Sequence, residues 1–351
     1  MRVVFLPYGE GNPYLDLLAS ALEHKGCNVL RPRINTFFLW PLWFRWQPDV
    51  LHLHWLHVFY ISSSPAVSLV KALVFLTQLI AVRLSGTRII WTVHNLINHE
   101  KQLVRLDTFC SAIVARLANR VIVHCQSALG AAEKAFRMSG IKISVIPHGN
   151  HIRWYPQFIS GQEARQKLGL PPDSMVFLAF GGIHPYKGLE RLFDCFHALP
   201  DPRARLLVAG QPATTAYSQH LRLHAGTDSR ILLHFGFIPD NDVQLYFSAC
   251  DVAVFTFTEI LTSASVILAM SFSRPVIAPI AGCVGEILSP RGGFPYDPSD
   301  EKGLPKALDS ALRSDRLRDM GTRNRRLAES FDWDLIAEKT VQIYHGPGKT
   351  A

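Results

Sequence analysis

Short apolar runs alternate with stretches whose apolar positions recur every three to four residues along nearly all of this 351-residue chain. The first run, VVFL, leads into a polar loop, PYGEGNPY, and then into LDLLASALEHKG. There Leu15, Leu17, Leu18 and Leu22 mark a helix, and Gly26 supplies its stop. Further strand-like runs are VLHLHW, RIIWTV, RVIVHC and ISVIP, with helical stretches between them. The pattern restarts at MVFLAFG and continues through ARLLVAG, ILLHFG, VAVFTF and PVIAP. GLERLFDCFHAL, DNDVQLYFSAC and SVILAMSF read as helices within that second series. Strands alternating with helices predict parallel, doubly wound α/β sheets, and the restart predicts two of them.

Between the two series, HIRWYPQFISGQEARQKLGLPPDS reads as a link. The predicted domains are residues 1–160 and 161–330; within 331–351, the stretch WDLIAEKTVQIYHG reads as a terminal helix able to cross back to the first domain. The segment Ser64–Gly86 is apolar over a length close to the roughly 20 residues that span a bilayer. Lys71 and Arg83 are its only charges. Strand signals on both sides make it a crossover helix or a helix lying on a membrane surface. The preceding run FFLWPLWFRW, with Trp40, Trp43, Trp46 and Arg45, favours membrane contact through interfacial aromatics and a cation.

Hydrophobic residues make up 48% of the chain and charged residues 18%, which is ample material for buried cores. The formal charge of +8 favours an anionic partner. No nucleic-acid-binding signature accompanies it, so the expected partners are phosphate ligands and an anionic membrane. Cys27, Cys110, Cys125, Cys195, Cys250 and Cys283 form no CxxC pair and read as reduced thiols of a cytosolic protein. The opening MRVVFLPYGEGNPY lacks the apolar core of a signal peptide.

Candidate chemistry collects at the carboxyl ends of the predicted strands, where open α/β sheets hold ligands. After the first strand, the loop with Gly11, Asn12 and Tyr14 allows close backbone approach and offers a helix N-terminus to an anion, and Glu10 can serve as a base. After RIIWTV comes HNLINHE, in which His94, Asn95 and Glu100 can bind hydroxyls or take a proton, with Glu100 the favoured base. A His94–His99 metal pair has no third ligand at a clear spacing, so no metal is expected. His57 and His148 end two other strands and are further site candidates, while His52 reads as structural.

After MVFLAF, the loop GGIHPYKG holds Gly181, Gly182, His184 and Lys187. Its spacing is not that of a Walker loop. Its glycines let a diphosphate approach the backbone, and Lys187 is a point charge for phosphate. After VAVFTF, Glu259, Leu261, Thr262, Ser263 and Ser265 open a helix whose N-terminus and hydroxyls suit phosphate oxygens. His234 and Gly236 end ILLHFG and join the phosphate-side candidates.

Taken in order, TVHN near residue 94, VIPHG ending at Gly149, FGGIHPYKGLERLFDCF, LLVAG, VAVFTF, AMSFSRPVIAP and FDWDLIAEKTVQIY resemble the GT-B glycosyltransferases of family 4 (group 1) over nearly the whole chain. The resemblance implies two Rossmann-like domains facing a cleft, the first for the acceptor and the second for a nucleoside diphosphate sugar. It implies no cofactor beyond that donor substrate. There are departures. The family's second Glu before the AMA-like run, a ribose ligand, is replaced by Leu268, and Glu259 sits one position off the first. The usual Arg of the GR…KG element is displaced, with Gly182 in its Gly position, His184 the nearest substitute and Lys187 retained. LTSASVILAMSFSRPVIAP resembles a branch that includes bacterial exopolysaccharide β-mannosyltransferases. That branch implies GDP-mannose as donor, a lipid-linked glycan as acceptor, and a cytoplasmic protein peripheral to the inner face of the plasma membrane. The alternatives are a UDP-sugar epimerase of the same fold and a non-catalytic scaffold subunit. The Trp-rich first domain argues against the epimerase, and the missing second Glu is the best support for the scaffold.

Overall fold

The computed structural model describes residues 1–33, 36–98 and 100–346. The chain folds as two units, Met1–Gly149 with the segment from Phe331 onward, and Asn150–Ser330. The first unit runs β1 (Arg2–Leu6), α1 (Pro13–His24), β2 (Asn28–Leu30), α2 (Leu39–Pro41), β3 (Val50–Leu53), α3 (Pro65–Leu84), β4 (Arg88–Thr92), α4 (Val104–Leu117), β5 (Arg120–Val123), α5 (Gln126–Phe136) and β6 (Ile143–Val145). The second begins with α6 (Gly161–Lys167), β7 (Met175–Phe180), α7 (Leu189–His197), β8 (Ala204–Gly210), α8 (Thr215–Ala225), β9 (Ile231–Phe235) and α9 (Asp240–Ala249). It continues with β10 (Val252–Val254), α10 (Ala264–Ser271), β11 (Val276–Pro279), α11 (Gly282–Ile287), β12 (Gly293–Tyr296), α12 (Gly303–Leu312) and α13 (Leu317–Ser330). The last helix, α14 (Trp333–His345), belongs to the first unit.

Each unit is built on a six-stranded sheet, ordered β2-β1-β3-β4-β5-β6 in one and β12-β11-β10-β7-β8-β9 in the other. All the strand pairings are parallel. Such strands are covered on both faces, so their apolar runs are continuous rather than alternating, as Val3–Leu6 and Val252–Val254 show. Each sheet reverses its winding direction once, between β1 and β3 in the first unit and between β7 and β10 in the second. The carboxyl ends of those strand pairs are where this architecture receives ligands.

The boundary expected at residue 160 falls earlier, at Gly149. The link is held by the second unit's own groups. Asn150 Nδ2 donates to the Ala328 carbonyl (2.9 Å), His151 N to Ser271 Oγ (3.0 Å) and Trp154 Nε1 to Asp240 (2.8 Å). Gln244 Oε1 accepts from the amides of Phe158 and Ile159. A Trp- and Pro-rich segment looked like a linker because its partners lie far away in sequence. In the other direction, Trp333, Ile336, Ala337 and Tyr344 of α14 join Val3, Phe5, Leu15 and Leu18 in the first unit's core.

Among the described residues α3 is the one helix long and apolar enough to cross a membrane. It joins β3 to β4, which pair directly in parallel, so it must run back along the sheet. That crossover role excludes a bilayer span for α3. Cys27, Cys110, Cys195 and Cys250 are free thiols, whereas Cys125 and Cys283 are disulfide-bonded, so the expectation of six reduced thiols is corrected at those two positions.

Candidate functional site

In the second unit, three adjacent strands end on glycines. Gly181 follows β7, Gly210 ends β8 and Gly236 follows β9, all at positive φ (111°, 147° and 152°). Gly181 N donates to the Ala209 carbonyl and Gly236 N to the Gly210 carbonyl (both 3.0 Å). A Cβ on Gly210 would stand 2.0 Å from the Gly181 oxygen, so the three strand ends meet through bare backbone. A Cβ on Gly181 would face Ser265 Oγ at 3.3 Å and Lys187 Nζ at 3.9 Å. Gly181, Gly182 and Lys187 line one small pocket with Val208, Phe255 and Thr256, and Ser265 faces Gly181 beside it.

The loop carrying Lys187 is fixed from β10. Thr256 Oγ1 donates to the Lys187 carbonyl (2.6 Å), and Thr258 N donates to the Tyr186 carbonyl (2.9 Å). Gly188, at φ 64°, admits no side chain, because a Cβ there would lie 2.5 Å from the Thr256 carbonyl. Lys187 Nζ sits 4.8 Å from the centroid of the Phe257 ring and 5.6 Å from that of Tyr186. Among the described residues no carboxylate pairs with it, and burial lowers its pKa from 10.5 to about 8. Ser263 caps α10, its Oγ accepting from Val266 N (3.2 Å), so the helix N-terminus beside Ser265 is ordered. His184 stacks on Tyr186 (5.6 Å between centroids) in the same loop. His234 is half-buried on the edge strand β9, with its pKa lowered by burial. Glu259 is exposed, and Leu261 and Thr262 are half-buried. The Leu261 carbonyl accepts from Cys283 N (2.8 Å), and Gly282 at φ 49° passes too close to it for any Cβ. Leu268 is buried in the unit's core, so the position that would carry a ribose-binding carboxylate packs as a hydrophobe.

The first unit's strand ends are built differently. β3, β4, β5 and β6 deliver His54, His94, His124 and His148 to one edge, and Tyr14 from α1 lies among all four rings at 4.8–5.9 Å. Burial holds His54, His94 and His124 below the ordinary histidine range, His124 at about 4. Neutral rings fix the tautomers. His124 Nδ1 faces the Ile146 carbonyl (3.0 Å) and must carry the proton. Its Nε2 then accepts from His94 Nδ1 (3.4 Å), and His94 Nε2 accepts from His54 Nδ1 (3.3 Å). His54 Nε2 is left buried without a partner. Trp55 stacks on His94 at 4.2 Å and 14°, so that ring is clamped on a face and at both nitrogens. His52 is structural, as expected, between Tyr344 Oη (2.6 Å) and Thr92 Oγ1 (2.8 Å).

His57, His94 and Asn95 line one small pocket together with His54, Trp55, Trp91, Asp107 and Ser111. Asp107 was not legible in the sequence as a site residue. It is buried and accepts from Tyr60 Oη (2.5 Å), Asn98 N (2.8 Å) and Asn98 Nδ2 (2.9 Å). The signal was a lone carboxylate on the apolar face of an amphipathic helix. Glu100 is exposed, accepts from Gln102 Nε2 (2.6 Å), and with Asp107 favours protonation of His57 against the larger effect of burial.

Some expected site residues do other work. Asn12 caps α1, its Oδ1 accepting from the Tyr14 and Leu15 amides. Tyr14 is a core residue rather than an open acceptor contact. Gly11, at φ 76°, is exposed at the turn before that cap. Glu10 is exposed and paired with Arg33, which removes it from the pocket formed by His57, His94 and Asn95. His148 Nδ1 donates to the Gly149 carbonyl (2.8 Å). His99 lies outside the described residues.

Residues 160–327 match the family described as glycosyl transferases group 1. The chain is 27% identical over 344 residues to a GDP-mannose:glycolipid 4-beta-D-mannosyltransferase of Xanthomonas campestris pv. campestris, covering 96% of this chain and 89% of that one. HepE of Anabaena, solved with UDP, superposes with a TM-score of 0.76 at 17% identity, covering 98% of this chain and all of that one. WaaG, a glycosyltransferase involved in lipopolysaccharide biosynthesis, gives a TM-score of 0.70 at 15% identity, covering 99% of this chain and all of that one. Two six-stranded parallel sheets, a glycine-lined cationic strand end in the matched region and these likenesses together identify the chain as a glycosyltransferase of the GT-B fold, similar to group 1 over residues 160–327.

Proposed function

We propose that the second unit binds a nucleoside diphosphate sugar, of which GDP-mannose is the first candidate, and that the first unit binds the hydroxyl-bearing acceptor, a lipid-linked glycan. The observation that carries this reading is Lys187, a half-buried cation with no carboxylate partner among the described residues, at the junction of two backbone-lined strand ends. A diphosphate supplies the missing counter-charge. Lys187 and the α10 N-terminus beside Ser265 would stabilise the negative charge that develops as the sugar leaves, the largest electrostatic demand of the step. The remaining contacts would come from Gly181, Gly182, His184, His234, Gly236, Glu259, Leu261, Thr262 and Ser263. No metal and no further cofactor are required in this scheme.

On the acceptor side, His94 is a locked neutral ring that orients hydroxyls rather than a free base. His57, which burial holds below the ordinary histidine range against the opposing pull of Asp107 and Glu100, is a neutral imidazole placed to receive the acceptor proton, and Asn95 and His148 complete the polar surface. The same reading puts the protein in the cytoplasm, peripheral to the inner face of the plasma membrane and in contact with anionic lipid. The similarity to a mannosyltransferase acting on a glycolipid supports the donor and acceptor classes. The test is transfer of radiolabelled mannose from GDP-mannose to a bacterial glycolipid extract, with and without EDTA. Transfer that survives EDTA and disappears in Lys187→Ala is expected. No transfer from any nucleoside diphosphate sugar, or near-normal transfer by Lys187→Ala, would remove the proposal.

A further inference from the structure

Helix α3 is apolar on two sides. Its inner side, with Ala72, Phe75, Leu76, Leu79 and Val82, is buried within the first unit. Its outer side carries Leu69, Val70, Leu73, Ile80 and Leu84, all exposed, at spacings of one, three and four residues and their sums. A helix that only bridges two strands needs one apolar stripe, and the outer positions of a solvated helix are normally polar. The outer stripe runs most of the length of a 20-residue helix, about 30 Å at 1.5 Å per residue.

A second exposed apolar element is fastened to the same helix. Phe38 and Leu42 of the segment 37–46 are buried, Phe38 against Phe59 and Phe75. Gln78 of α3, itself buried, accepts from the Phe38 and Leu39 amides through Oε1 (2.9 and 3.0 Å) and donates from Nε2 to the Thr36 carbonyl (2.8 Å). That anchorage leaves Phe37, Trp40, Trp43 and Phe44 outside, with Trp40 72% exposed and its ring tilted against that of Phe44, 4.1 Å between centroids. Polar groups satisfied inward and aromatics turned outward are the reverse of what water favours. A contiguous patch of this kind marks an interaction surface.

We infer that the outer face of α3 and the aromatic turn at 37–46 form a lipid-docking surface, with α3 lying flat in the headgroup region of an anionic membrane. The proposed lipid-linked acceptor gives this surface its purpose, while the geometry stands without it. The charges select lipid over protein. Arg45, Lys71 and Arg83 are the cations of residues 36–86, and among the described residues none of them has an ion-pair partner. Asp49 is the only acidic residue in that stretch, and its carboxylate accepts from the Arg2 amide. A second copy docked on this face would set like charges against each other, whereas anionic headgroups neutralise them, with tryptophans at the depth their rings prefer. The surface covers α3 without requiring it to leave its place between β3 and β4.

Vesicle flotation of the full chain tests this. Wild type is expected to float with vesicles of equal parts phosphatidylglycerol and phosphatidylcholine, and much less with phosphatidylcholine alone. Leu73→Glu and the double variant Trp40→Ser/Phe44→Ser, at exposed positions and checked for a wild-type near-ultraviolet circular dichroism spectrum, should each bind roughly tenfold more weakly or worse, the factor that corresponds to ~1.4 kcal/mol. Unchanged flotation of both variants would overturn the assignment. So would a wild type that ignores vesicles but dimerises by sedimentation velocity, with Leu73→Glu monomeric. Transfer to a short water-soluble acceptor separates this inference from the catalytic reading. Leu73→Glu should keep that activity within about twofold while losing vesicle binding, whereas loss of transfer in wild type would count against the catalytic reading alone.

Discussion

The two units share a sheet architecture and differ at the edge where each sheet receives ligands. The second unit's edge is bare backbone around a half-buried cation: Gly181, Gly210 and Gly236 with Lys187. The first unit's edge is a stack of neutral rings: His54, His94, His124 and His148 around Tyr14. One edge is missing a negative charge; the other is full of short-range donors and acceptors without net charge. That is the division a sugar transferase needs, since the donor carries the phosphates and the acceptor carries hydroxyls. The contrast also predicts different sensitivities, which is how it can be broken.

The largest effect should come from Lys187→Ala, expected to lower kcat/KM by roughly a hundred- to a thousandfold, the scale of losing a preorganised charge at a reacting group. Lys187→Arg should recover little, because the planar guanidinium does not fit the space a compact ammonium fills. The same residue gives the second unit an alkaline limit. With a pKa of about 8 before donor binds, kcat/KM should fall above about pH 8 as the ammonium deprotonates, and the fall should be absent in Lys187→Ala. A profile flat to pH 10 would contradict the assignment.

The first unit should have an acid limit. His52 and His124 are held near 3 and 4, and His54 and His94 also well below the ordinary histidine range, all by burial. The unfolded chain takes up protons near pH 6.5 while the folded unit does not, so stability falls as pH drops below about 6.5 towards 4. Hydrogen exchange at decreasing pH should show the first unit's strands losing protection before those of the second, which has His151 as its one fully buried counterpart among the described residues.

Asp107→Asn should cost about 1–3 kcal/mol in unfolding experiments, since two of its donors keep a buried acceptor only in part. It should also weaken acceptor use more than donor use, because Asn98 and the loop behind His94 hang on that carboxylate. The smallest effect belongs to Glu10→Gln. An exposed pair with Arg33 contributes no more than about 1 kcal/mol, and activity should be unchanged. A large loss would restore Glu10 as a base.

Much of this was legible in the chain. Alternating strands and helices follow from local apolar periodicity, and a glycine pair with a lysine after a buried strand has few other uses. What was hidden depends on contacts distant in sequence. Tyr14 reads as a polar ring on a loop until α14 and four strands close over it. Gly210 reads as a strand end until the Gly181 carbonyl is found against it. Asp107 becomes a candidate only when Tyr60, far from it in sequence, supplies its donor. Gln78, in the middle of an apolar helix, gave no hint that it fastens the aromatic turn.

The central claim is that Lys187 reads a diphosphate. Calorimetric titration of GDP and GMP into wild type and Lys187→Ala tests it without any acceptor. Wild type should bind GDP at least about tenfold more tightly than GMP, a margin of ~1.4 kcal/mol, and Lys187→Ala should bind the two alike. If Lys187→Ala keeps the full preference for GDP, the second phosphate is held elsewhere and the account of this site is wrong.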